Sequence, residues 1–404
     1  MWGNAINGSN TNGSTMRIDH CKFDHLIGFA VTPSDMIGVI DHNTFLFSPG
    51  NIPIYAFHKN WNNLGPFAGG SWQDSSHFGT SQFLFIEDNT FVADSPYAAF
   101  DCYGGARVVF RYNNLTRAHC EIHGTECGIF RGGRAFEIYN NTFVGPTLGD
   151  YIINGRSGVF VVHDNQSTGI TGPKLQLVDY RGPQSDAPWL QADGTSPWDV
   201  NDVADHTGNG FGGGANGLYA SYTAASGTSN GGSYGFPTVT VSGSPWTVNQ
   251  WQGYSIHKTS PETSQQKNSY ILENSANSIT YLPSLNYANM SFTNGDTFTI
   301  YKVIQGMDQP GRSGGSLVPQ VDPPTPPSGW NDQITDPCYE WNNTKTEGGS
   351  FDFTSSPYDS LIRVNEHFFN GTQAPGYTPY TYPHPLVSGD GHGPQAPGDL
   401  HIMP

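Results

Sequence analysis

One short phrase recurs through the first half of this chain. It reads FLFIEDNTF over Phe83 to Phe91, RVVFRYNNL over Arg107 to Leu115, AFEIYNNTF over Ala135 to Phe143 and VFVVHDNQ over Val159 to Gln166. Taking the second polar residue of each turn as a marker gives Asn89, Asn114, Asn141 and Asn165, at steps of 25, 27 and 24 residues. Upstream, IGVIDHNTF places Asn43 two steps of 23 before Asn89, and MRIDHCKF places Cys21 a further 22 residues back. A repeat of this length, opening on a β-rich run and closing on a polar turn, predicts an all-β solenoid. No unit holds the long 3.6-residue periodicity of helical or leucine-rich repeats, which leaves a parallel β-helix. Asn suits the marker, because it tolerates left-handed backbone and its amide can bond its equivalent one turn away. Hairpins with Asn turns are the competing reading, but they rarely keep one phrase at this spacing.

Composition narrows the partners. Glycine makes up 50 of 404 residues, above the usual ~7% and in keeping with a turn-rich β protein. A net charge of −17 with only 17 Lys plus Arg argues against nucleic acid, since phosphate binding needs a basic surface. It leaves open a neutral or Ca²⁺-bridged glycan. No apolar run reaches the ~18 residues of a membrane span. The opening WGNAINGSN is not a secretory signal, and a working repeat stands near residue 20. The chain is therefore expected to begin inside a longer protein, with any signal or cap upstream. Of the five cysteines, Cys102 and Cys127 each lie 13 residues after their markers, Asn89 and Asn114. They are expected to stack on adjacent turns, as a disulfide or as a ladder of buried thiols.

The pattern divides the chain into four parts. Residues 1–180 carry parallel β-helix turns, with 49–82 holding Trp61 and Trp72 as a lip over one face. Residues 181–235 read as a loop-rich excursion carrying Trp189 and Trp198. Residues 236–320 regain alternating β patterns without the marker phrase, and TNGD at 293–296 offers a tight turn, so a small antiparallel β insert is expected. Residues 321–404 return to the β-helix through CYEWNNT, and the proline-rich PGYTPYTYPHPL should lie extended along the side or cap the last turn.

The chemistry concentrates between residues 107 and 134. His119, Glu121 and His123 alternate within AHCEIHGTE, so on a strand all three face one way while Cys120 and Ile122 face the interior. Arg117, Arg131 and Arg134 lie close together, and the four arginines between 111 and 134 are a local excess in an acidic chain. Ion pairing between turns would account for them without any function. Arg131 in FRGGR is the stronger candidate for ligand contact, because its glycines permit close approach. β-Elimination on an acidic glycan needs a base and a group that neutralises the uronate carboxylate. His119 or His123 with Arg131 would serve, with bound Ca²⁺ as another neutraliser. Hydrolysis instead needs two carboxylates at ~5 to 9 Å, which Glu121 with Asp101 or Asp150 could supply. Elimination fits the residue types slightly better. Arg107, Arg134, Trp61 and Trp72 are the candidate substrate-binding residues. No metal site is assigned, since alternate residues of a strand sit ~6.5 Å apart.

The phrases IEDNTF, RYNNL, EIYNNTF and VVHDN resemble those of the right-handed parallel β-helix proteins of the pectate-lyase-like superfamily, especially its large bacterial secreted members. The similarity extends to the WQGYSIHK…NGDTFTIYKV…DQPGR stretch and to the PGYTPYTYPHPL ending. It implies that fold, an extracellular or cell-surface location, and an association with polysaccharide. The superfamily hosts lyases, hydrolases, epimerases, phage tailspikes and adhesins, so it does not select a reaction. The calcium-binding aspartates of pectate lyases, the NTD, GHG and RIK patterns of galacturonan hydrolases, and the Lys/Arg pair of related lyases have no placed counterparts here. No catalytic residue is carried over. Two readings follow: a polysaccharide-cleaving enzyme working on the face around His119 to Arg134, or a non-catalytic carbohydrate-binding, adhesin or self-assembling surface protein.

Overall fold

A computed structural model describes residues 3–61, 69–124, 132–172, 174–178, 218–232, 235–251, 255–260, 268–281, 290–301, 309–314, 333–356 and 362–388. Its regular structure is almost all β. It comprises a 19-stranded sheet, a closed six-stranded barrel and a two-stranded antiparallel pair.

Every strand pairing in the large sheet is parallel, and the pairings fall into three ladders. The first joins Gly38–Asp41 to Leu84–Glu87, Arg107–Arg111, Ala135–Tyr139, Val159–His163 and Cys338–Trp341. The second runs from Lys22–Asp24 through Thr44–Phe47, the starts of Thr90–Cys102 and Asn114–Ile122, then Thr142–Val144, Gln166–Thr168 and Thr344–Lys345. The third links Ile54–Ala56, the ends of Thr90–Cys102 and Asn114–Ile122, Tyr151–Gly155, Lys174–Leu177 and Phe353–Thr354. The chain leaves the ladders after Leu177 and rejoins them at Cys338, where Tyr339 pairs with Val161.

A buried asparagine column sets the register. The Oδ1 of Asn43 accepts the backbone N–H of Cys21, and the same bond repeats from Asn43 to Asn89, Asn89 to Asn113, Asn113 to Asn141, Asn141 to Asn165 and Asn165 to Asn343, at 2.9–3.1 Å. Each side-chain amide also donates to a neighbouring backbone carbonyl, as Asn89 does to Ile40 and Glu87. The residue before each column asparagine is left-handed, with φ of 52–57° at His42, Asp88, Tyr112, Asn140, Asp164 and Asn342.

The column corrects the sequence reading at one turn. Its member is Asn113, whereas Asn114 is exposed and pairs with Thr90 and Thr142. The informative offset runs to the core residue two positions on: Phe45, Phe91, Leu115 and Phe143 all point inward from the residue two after the column. The shift removes the equal spacing that paired Cys102 with Cys127. Cys102 is a buried free thiol whose strand partner is Ala56, and Cys127 lies outside the described residues. The same register stacks Phe110 between Ile86 and Ile138.

Apolar rings fill the interior between the ladders. Phe23, Phe45 and Phe91 stack at 4.9 and 4.8 Å, and Phe136 stacks on Phe160 at 5.1 Å. The outer face of the first ladder is also buried, under the C-terminal segment. That segment runs against the order of the turns: Tyr377 bonds Glu137, the Tyr380 and Thr381 carbonyls accept from Arg111, His384 N–H donates to Glu87, and the Leu386 carbonyl accepts from Arg17. The proline-rich ending thus lies along the side, as expected of a segment with too few N–H donors for a central strand, and closes on the short helix Pro385–Ser388.

The barrel closes in the order Leu218–Thr228, Thr238–Val241, Ser278–Tyr281, Asn268–Asn274, Ser255–Ser260 and Thr297–Tyr301, all antiparallel. Trp246, Trp251, Phe298 and Ile256 fill its core. Its first strand falls in the stretch read as loops from sequence. LYASYTAASGT is rich in Ala, Ser and Gly and holds no Val or Ile, which weakens the strand signal of its Tyr and Thr residues. Trp189 and Trp198 lie outside the described residues.

Candidate functional site

Among the described residues, the third ladder presents one strand face that neither the core nor the 375–388 segment takes up. Phe100 pairs with Cys120 and Ile153 with Cys120, and all three point inward. Alternation then sends the next residues outward. The result is a polar row across neighbouring strands: Tyr55, Asp101, Glu121, Asn154 and Gln176. Two residues further along stand Tyr103, His123 and Arg156, whose strands continue the pairing through His123 N–H to Cys102 and Arg156 N–H to Ile122.

Two hydrogen-bonded groups sit on this face. His123 Nδ1 is 2.6 Å from Asp101 Oδ1, and the Tyr103 ring packs edge-on to His123 at 6.2 Å. Beside them, Glu121 Oε1 accepts from Arg156 Nη2 at 2.6 Å and Asn154 Nδ2 at 2.9 Å, while Oε2 meets His119 Nε2 at 3.1 Å. The two carboxyls are driven apart. Burial raises Asp101, and His123 only partly offsets it. Burial also pushes the Glu121 pKa up, but the His119 hydrogen bond and the Arg156 charge outweigh it, so its pKa ends below the usual glutamate value. Neighbouring carboxyls pushed in opposite directions are a common mark of acid–base sites.

The candidates from sequence divide by their exposure. Glu121 and His123 keep partial exposure, at 15% and 25% of their side chains. His119 is 1% exposed, stacked in register beside Ala98. It therefore acts on Glu121 from behind rather than meeting a substrate, and its buried Nδ1 has no hydrogen-bond partner. Arg131 lies outside the described residues. Asp150 stands in a 3-10 turn ahead of the strand Tyr151–Gly155, off the polar row.

Arg107, Arg134, Trp61 and Trp72 are all buried, which removes them from a substrate-facing role. Arg107 donates to the carbonyls of Ser71, Ser75 and Ser76 and to Ser71 Oγ, with its guanidinium 4.6 Å from the Trp61 ring. Burial, with Arg134 nearby, pushes its pKa well below the arginine norm. Arg134 bonds the Asp74 carbonyl and Asp336, and Trp72 Nε1 donates to the Gly132 carbonyl. These groups fasten the 69–78 segment onto the first ladder.

Sequence reasoning missed Tyr103, Asn154 and Arg156. Glu121 lies 8 residues after its column asparagine, but its row neighbours Asp101 and Asn154 lie 12 and 13 after theirs. The turns between the second and third ladders vary in length, so spacing alone could not align them. Among the described residues no group of three or more His, Cys, Asp or Glu is placed to hold a metal ion, and no helix is long and apolar enough to cross a membrane. No protein-family model, curated protein or solved structure matches the chain.

Proposed function

We propose that the three parallel ladders form the turns of a β-helix and that the polar row on the third ladder cleaves an acidic polysaccharide by β-elimination. The observation that carries this reading is the His123–Asp101 pair, at 2.6 Å, flanked by Arg156 on the next strand. Asp101 orients the imidazole, and His123 takes the proton from the carbon α to the uronate carboxylate. The C–H electron pair forms the ring double bond as the bond to the glycosidic oxygen breaks, and Tyr103 supplies a proton to that leaving oxygen. Arg156 faces the uronate carboxylate as its charge develops. Glu121, held by three donors, keeps the guanidinium in place.

Hydrolysis is the second reading, favoured by one feature. Asp101 and Glu121 stand one residue beyond the Phe100–Cys120 pair on adjacent strands, with the former raised and the latter lowered. That pattern matches the division of labour of an acid and a stabilising carboxylate, with His123, the partly exposed partner of buried Asp101, passing the proton to the substrate. Uronate-containing and neutral polysaccharides incubated with the protein separate the readings. Absorbance near 235 nm from unsaturated products marks elimination. New reducing ends without that absorbance mark hydrolysis. Glycan binding with neither product would leave a non-catalytic carbohydrate-binding surface protein and overturn the enzymatic reading.

A further inference from the structure

The barrel carries a recess that its own packing does not require. Its apolar core is complete inside the six strands. On the outer face, side chains from four adjacent strands form a transverse row: Thr228 pairs with Thr238, Thr238 with Thr280, and Thr280 with Glu273. The hydroxyls of Thr228 and Thr238 lie 2.9 Å apart, and Thr280 Oγ1 donates to Glu273 Oε1 at 3.2 Å. Thr238 and Thr280 form the floor of a cavity of about 400 Å³, inside the ~300–1,000 Å³ range of small-molecule sites.

The row is closely walled, with Thr238 and Thr280 8% and 5% exposed and Glu273 half-buried at its end. On one side the chain passes at Gly231 and Gly232. A Cβ at Gly232 would come within 2.5 Å of the Thr280 methyl, so only glycine lets the chain lie this close to the row. On the other side stand Asn249, in left-handed backbone, and Val248, 66% exposed. Among the described residues the lining is hydroxyls, amides, one carboxylate and one apolar side chain, with no cationic residue. Such a set repels anions, while a carboxylate beside hydroxyls accepts and donates to the vicinal hydroxyls of a sugar, and an exposed valine covers a sugar's C–H face.

We propose that this recess binds a neutral saccharide, with Glu273 and Thr280 as its polar anchors and Val248 on the apolar side. The assignment is independent of the reaction proposed for the third ladder. The test uses the full chain and saturation-transfer NMR with cellobiose and xylobiose as neutral probes and digalacturonate as the anionic one. The expected result is saturable binding of a neutral disaccharide, weakened at least about tenfold by Glu273→Gln, since a hydrogen bond to a charged group is lost. His123→Ala should leave that binding intact. Absence of saturable binding by either neutral probe overturns the site. So does undiminished binding in both Glu273→Gln and Thr280→Val. If those variants unfold the barrel, Val248→Glu at the exposed rim decides: retained neutral-sugar binding there also overturns it.

Discussion

Asn113 Oδ1 accepts both hydrogen bonds that Asn89 directs to the next turn, from its backbone N–H at 2.9 Å and from its side-chain Nδ2 at 3.1 Å. One buried oxygen thus joins two turns, and the arrangement repeats along the column. Asn113→Ala strips the partner from one buried donor, the Asn89 backbone N–H, while Asn89 Nδ2 keeps the Ile40 and Glu87 carbonyls. It should destabilise the protein by about 1–3 kcal/mol in urea unfolding, the cost of one unsatisfied buried donor. Asn114→Ala, on the exposed strand start, should change stability by less than about 0.5 kcal/mol. Equal effects would refute the register.

The Glu87–Arg111 pair is fully buried, with contacts of 2.7 and 2.6 Å, and Arg111 also bonds the carbonyls of Tyr380 and Thr381. Arg111→Met leaves the Glu87 carboxylate buried without its cation. A loss of about 3–5 kcal/mol is expected, since breaking a buried pair strands a charge. Adding Glu87→Leu should recover much of it. Limited proteolysis between 375 and 388 should quicken in the single variant, because the segment loses its arginine anchor.

Glu137 makes stability fall as pH rises. Its carboxyl bonds Tyr377 and the Gly79 N–H, and burial pushes its pKa up to about 7, with those bonds and Arg111 offsetting only part. The folded state therefore holds this proton through a window, from about pH 4.5 to 7, in which the unfolded chain has released it. Stability from this group is complete below that window and is lost through it, by about 3 kcal/mol. His58, buried and lowered to about 4, acts with the opposite sign: its contribution falls away as pH drops from 6.5 toward 4. Comparing wild type with Glu137→Gln between pH 5 and 8 isolates the glutamate. The wild type should lose stability relative to the variant across that range.

At the polar row, His123→Ala should reduce elimination by about 10²–10⁴-fold, the usual contribution of a positioned base. Asp101→Asn keeps the side-chain shape but weakens orientation of the imidazole, so turnover should fall with little change in thermal midpoint. His119→Ala should act through Glu121, lowering turnover less and stability more. Initial rates by ultraviolet absorbance, with melting curves of each variant, check the three together. An active His123→Ala enzyme would remove the residue from the reaction.

Much of the architecture was legible in the phrase itself. A polar turn with Asn, followed two residues on by Phe or Leu, states both where the chain bends and which residue enters the core, because those choices depend on local backbone conformation and on side-chain alternation. The inward Cys120 and Ile122, and the outward Glu121 and His123, follow from the same alternation. RYNNL was ambiguous because two adjacent asparagines both fit a turn, and only the position of Leu115 distinguishes them.

What the sequence alone determined, then, is an all-β chain with repeating turns and one charged strand. Only the tertiary structure decided which polar residues face solvent. Arg107 and Arg134 looked like ligand-binding cations until the 69–78 segment and its carbonyls enclosed them. Arg111 was claimed by a C-terminal segment some 269 residues away. Asp101, Glu121 and Arg156 met on one face because turns of unequal length still return each strand to the same ladder. Strand alternation is local and can be read from the chain, whereas burial by distant segments and alignment across unequal turns exist only once the chain has folded.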